Sequence, residues 1–88
     1  MKNPLLQLRE NLGLTNEKLA FLLNLSVATI NRIEEGFTQI PPKCFPYLEK
    51  MGINPKELAS EQALFIDNKR NEMLASLKDK LGNSKEKK

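Results

Sequence analysis

Apolar residues recur every three or four positions along most of the chain, and no stretch alternates in the manner of a strand. Leu5, Leu8 and Leu12 share one face of a first helix that opens at Pro4 and is stopped by Gly13. A second helix runs from about Asn16 to Leu23. Thr15 is its N-cap, and Leu19, Ala20 and Leu23 form its inward face. Asn24-Leu25-Ser26 interrupts the period. Asparagine tolerates a left-handed backbone, and Ser26 is a natural N-cap for a third helix over about 27–35. Ile30 and Ile33 turn inward there, and Gly36 ends the helix. A loop from Phe37 to Ile40 leads to Pro41-Pro42, which start a fourth helix carrying Phe45, Leu48 and Met51 on one face. Pro46 in its first turns delays or kinks it. After Gly52, Asn54-Pro55-Lys56-Glu57 is a strong start for a fifth helix, whose periodicity persists to about Leu81 before Gly82-Asn83-Ser84.

The pattern predicts an all-α fold: a compact five-helix domain with an extended C-terminal helix. It divides the chain into a core domain over 1–59, a C-terminal helix over 60–82 for packing or dimerisation, and a disordered charged tail over 83–88.

Composition removes several classes of function. The chain has 88 residues, enough for one modest core. It holds one cysteine, Cys44, and no histidine, so neither a His/Cys zinc site nor a His-based triad forms within one chain. No glycine-rich phosphate loop is present, and Glu34 and Glu35, adjacent on a helix, do not converge. No catalysis and no cofactor are expected. The N-terminus lacks a signal-peptide core, and no apolar run approaches the ~20 residues that span a membrane. A cytoplasmic location follows as the default. The net charge of +3 leans towards an acidic partner. Residues 1–60 carry only +1 of it, so the few cations there must be well placed.

The segment Thr15–Gly36, TNEKLAFLLNLSVATINRIEEG, is the most specific feature. Two helices joined by so short a turn cross steeply, which needs a small residue at the crossing and a left-handed residue in the turn. Ala20 and Asn24 supply these, and Leu25 plugs the crossing. This segment, with Leu8-Arg9 before it, Arg32-Ile33-Glu34 within it and the Gly36-to-Ile53 stretch after it, resembles the helix-turn-helix of the Cro/CI-type (xenobiotic-response-element) repressor family over about residues 4–58. The resemblance implies a lambda-repressor-like domain that binds double-stranded DNA and regulates transcription, as a repressor occupying an operator.

Carried over position by position, it makes Asn16 a phosphate grip at the head of the second helix. It turns Ser26, Val27, Ala28, Thr29, Asn31 and Arg32 of the third helix and its cap towards the major groove. It places Phe37, Thr38, Gln39 and Lys43 along the DNA backbone. Val27 and Ala28 stand where polar residues are usual and suit thymine methyl groups, leaving polar readout to Thr29 and Arg32. Glu35 stands where a neutral residue is common.

Ile66, Arg70, Met73, Leu74, Leu77 and Leu81 form an apolar stripe on the last helix that suits a homodimer seam. Phe21 and Leu22 add two apolar residues at positions usually exposed. The last helix folding back, or a partner chain, would cover them. Two other functions stay open: an antitoxin with a toxin partner, and a protein-interaction module that has kept the fold and lost DNA binding.

Overall fold

A computed structural model describes residues 1–86. Among them are five α-helices, one 3-10 turn and no strand: α1 (Pro4–Asn11), α2 (Asn16–Leu23), α3 (Val27–Glu35), the turn Pro42–Cys44, α4 (Phe45–Lys50) and α5 (Pro55–Glu86).

Side-chain caps set the helix starts. The Thr15 hydroxyl accepts the Lys18 N–H at 3.1 Å, and the Ser26 hydroxyl accepts that of Thr29 at 3.1 Å. Asn54 accepts from Lys56 and Glu57, with Pro55 as the first helical residue. Asn3 does the same for α1, accepting from Leu5 and Leu6 ahead of Pro4. Each cap satisfies donors that a helix start leaves without a partner.

The fourth helix begins later than Pro41-Pro42 suggested. Pro46 has no N–H to reach the Pro42 carbonyl in the α pattern, so the Phe45 N–H takes that carbonyl and closes a 3-10 turn instead. The α-helix proper starts at Phe45.

The core is continuous through all five helices. Leu5, Leu19, Ala20, Leu23, Ile30, Ile33, Ile40, Cys44, Leu48 and Leu58 are buried, and Leu8, Leu14, Leu25, Phe45, Tyr47, Met51 and Ile53 pack against them. Two polar side chains lie within it. Asn3 donates to the Ile33 carbonyl at 2.8 Å and to Gln62 Oε1 at 3.2 Å. Gln62, wholly buried, donates to the carbonyls of Ile33 and Thr38, both at 2.9 Å. The Ile33 carbonyl lies near the C-terminus of α3 and accepts these donors beside the Gly36 N–H, at 3.0 Å. One buried network thus ties the start of α1, the end of α3 and the second turn of α5.

The division drawn at 59/60 falls inside α5, and Gln62, just beyond it, packs into the core. The helix end expected at Gly82–Ser84 is corrected. A glycine inside a helix costs only about 1 kcal/mol and no proline follows, so the backbone stays helical to Glu86. The tail expected over 83–88 therefore begins as helix; Lys87 and Lys88 lie outside the described residues.

Cys44 is fully buried, and its Sγ donates to the Pro41 carbonyl at 3.1 Å. Burial, the leading cause, pushes its thiol above the ordinary cysteine range, against smaller lowering effects of a backbone hydrogen bond and Lys43. A raised folded value leaves stability unchanged below the ordinary thiol pKa and lowers it as pH climbs above, where only the unfolded chain ionises. Cys44 should therefore resist a thiol-directed chromogenic reagent at neutral pH and react fully once the protein is unfolded in urea. Rapid reaction of the native protein would contradict this burial.

Candidate nucleic-acid interface

The interface is built on the crossing of α2 and α3. Asn24 adopts the left-handed conformation at φ 57°, ψ 43°, and the following Leu25 N–H returns to the Ala20 carbonyl at 2.9 Å. Ala20 is 3% exposed, as a residue wedged at the crossing must be. The far end of α3 is fixed by Gly36, at φ 88°. A Cβ there would sit 2.6 Å from the Phe65 ring of α5, so glycine is required both by conformation and by this approach.

Arg9 of α1 grips α3 from behind. Its Nε meets Glu34 at 2.8 Å and a second guanidinium nitrogen meets the other carboxylate oxygen at 3.2 Å, while a third bond reaches the Leu14 carbonyl. The Glu34 hydrogen bond raises the Arg9 pKa, against a smaller lowering by desolvation. Arg9 and Glu34, read in the sequence only as matching residues, thus form a fork-to-fork pair that orients α3. Glu10, by contrast, is drawn below the usual carboxylate range by its hydrogen bond to Lys2, at the surface.

The outward face of α3 presents Val27, Ala28, Asn31, Arg32 and Glu35, all exposed. Arg32 makes no ion pair with any described residue, Glu35 three positions on included. Asn16 of α2 donates to Asn31 Oδ1 at 2.7 Å, so two candidate DNA residues from different helices are already joined and the Asn31 NH₂ remains available. Ser26 and Thr29 share a hydroxyl–hydroxyl bond of 2.8 Å beside the cap bond. Thr29 is half-buried, and its hydroxyl is engaged within the helix start. Lys43 is exposed on the 3-10 turn.

The loop after α3 differs from expectation. Phe37 is half exposed, but the Thr38 hydroxyl is turned inward and buried without a hydrogen-bond partner. The Gln39 side chain accepts from the Ile40 N–H at 2.7 Å and donates to the Ala59 carbonyl at 3.0 Å. Thr38 and Gln39 fasten the loop to α5, and Phe37 alone of the three offers a free side chain.

The stripe on α5 lies along one groove beside Phe37. Ile66 is half-buried, while Arg70, Met73, Leu74, Leu77 and Leu81 are exposed. Arg70 pairs with Asp67 at 3.1 Å. Of the two covers open for Phe21 and Leu22, the last helix folding back is not the one: α5 packs on α1 and α4, and Phe21 stays 85% exposed. Asn3, Gln62 and Phe65 seat α5 on the other side of the domain.

The sequence reading missed Asn3 and Gln62. A signal for Asn3 existed, since Asn3-Pro4 repeats the Asn54-Pro55 start read correctly for α5. Gln62, four residues after Leu58 on the same helical face, carried a weaker one.

Two helices joined by a left-handed turn, the second with its polar face free, constitute a DNA-binding helix-turn-helix of the kind used by transcriptional regulators. Residues 5–43 match the family model described as Helix-turn-helix, and this segment is of the Cro/CI (xenobiotic-response-element) type. No curated protein and no solved structure gives a significant match to the chain. No helix among the described residues is long and apolar enough to cross a membrane.

Proposed function

We propose that the protein is a cytoplasmic transcriptional repressor that binds a short operator in double-stranded DNA as a dimer and acts by occupying it, without catalysis. The observation that carries this reading is the outward face of α3, where Arg32 is exposed and unpaired beside Asn31, Val27 and Ala28. A guanidinium so placed matches the O6 and N7 acceptors of guanine, and Val27 and Ala28 match thymine methyl groups. Asn16, locked to Asn31, stands at the head of α2, where a phosphate is favoured by the helix N-terminus. Lys43 adds a cation for the backbone.

Arg32→Ala tests the assignment. On the preferred duplex, measured by fluorescence anisotropy, it should lose about 1–3 kcal/mol, roughly 5- to 150-fold in affinity, and relax preference at one base pair. Unchanged affinity and unchanged preference would remove Arg32 from the reading surface.

A protein partner is favoured at one other place. Phe21 and Leu22 border an uncovered apolar patch with Leu14, well away from α5. A toxin or another protein docking there is compatible with DNA binding through α3.

A further inference from the structure

We propose that two copies of the chain pair through α5 in antiparallel register, with Ile66 of each opposite Leu77 of the other. This rests on the dimer reading above and adds to it the orientation, the register and the spacing of the two DNA-reading helices.

Over residues 73–81 the apolar face of α5 is left uncovered by the rest of the described chain. Met73, Leu74, Leu77 and Leu81 are about half exposed, at 48–59%, on one face of a helix that extends beyond the domain. The stripe does not end where the domain begins. It runs into a groove formed by Ile66, Gly36 and Phe37, so the apolar surface is continuous from the helix to the α3–α4 loop. A row of this kind, facing water on a soluble chain, is a seam lacking its other side.

The orientation follows from charge. Residues 55–67 contain Lys56 against Glu57, Glu61 and Asp67, a net of −2. With Ile66 opposite Leu77, that acidic segment faces the segment from Ser76 onward, where Lys78 and Lys80 outnumber Asp79. A parallel pair sets like segments side by side, whereas this antiparallel pair sets the acidic segment of each chain against the basic segment of the other. Arg70 makes the same choice. It lies within the stripe, so a parallel pair in register places two guanidinium groups against each other at one layer. In the antiparallel register Arg70 lies opposite Met73, its stem over the thioether and its charge directed to Asp67.

The register also spaces the domains. The core grips α5 around Leu58 and Gln62, where the end of α3 is tied. With Ile66 opposite Leu77, the two grip points lie roughly 30–40 Å apart along the helix axis. That brackets the repeat of about 34–36 Å between major grooves on one face of DNA.

Disulfide formation at introduced cysteines tests orientation and dimer separately. Ile66→Cys and Leu77→Cys proteins are prepared singly, then equilibrated in a glutathione redox buffer alone and mixed. Cys44 is buried and stays out of the reaction. The expected result is a mixed disulfide between the two variants as the dominant covalent species, with each variant alone staying largely uncrosslinked. Self-crosslinking of each variant alone would overturn the antiparallel register and leave a parallel dimer. Sedimentation equilibrium of the unmodified protein is run alongside. A dimer there with no mixed disulfide would overturn the register alone, and a monomer would overturn the register and the dimer reading together.

Discussion

Gln62→Ala should lower the unfolding free energy by about 3 kcal/mol in urea titration, although residue 62 is far from the outward face of α3. The side chain is wholly buried and makes three hydrogen bonds, to Asn3 and to the carbonyls of Ile33 and Thr38. Truncation leaves a cavity. It also leaves the Thr38 carbonyl without that donor, and buried polar groups cost more unpaired than paired bonds contribute. The Ile33 carbonyl keeps its bond from Asn3, which limits the loss. Gln62→Leu separates the two effects. It restores most of the volume but none of the bonds, so it should still destabilise by about 1–3 kcal/mol. Glu61→Ala, an exposed neighbour, should stay within about 0.5 kcal/mol. Gln62 variants as stable as that control would mean that the network contributes nothing to the fold.

A chain ended at residue 59 should lose cooperative unfolding altogether, and a chain ended at residue 70 should keep it. Domains of this size hold only about 0.05–0.15 kcal/mol per residue, several kcal/mol in all. Stopping at 59 removes Gln62 and also Phe65, whose ring covers Gly36 at the end of α3. The combined loss is comparable with the whole stability of the domain. Stopping at 70 keeps both and, over 71–81, removes only exposed residues, Met73, Leu74, Leu77 and Leu81 among them. Circular dichroism during thermal melting distinguishes the two. A cooperative melt of the 59-residue chain would contradict the role given to Gln62 and Phe65.

The elements around the crossing were legible because each depends on local chemistry. Thr15 and Ser26 as caps, Asn24 as the left-handed turn residue and Gly36 as the stop act within a few residues of themselves, and all four hold. The inward set of Leu19, Ala20, Leu23, Ile30 and Ile33 follows from the 3.6-residue period and is buried throughout. What was not legible involves partners distant in sequence. Gln62 and Asn3 are 59 residues apart, and a glutamine on an amphipathic helix looks like solvent-facing surface until the opposite carbonyl is known. Thr38 and Gln39 read as polar loop residues free for phosphate, but α5 lies close enough to engage the loop. Polar residues near an N-cap had the same ambiguity: Thr29 turned out to bond Ser26. The outward residues of α3 lie where the pattern put them, because the period that sends Ile30 and Ile33 inward sends Val27, Ala28, Asn31 and Arg32 out.

The central claim is that this outward face reads a DNA sequence. Its most direct test is selection of random duplex DNA by the purified protein at low salt, followed by sequencing of the bound pool. The account predicts enrichment of a paired motif with half-sites about one helical turn apart, each containing a guanine within reach of Arg32. A bound pool with no enrichment, under conditions where phosphate contacts alone are strongest, would contradict it.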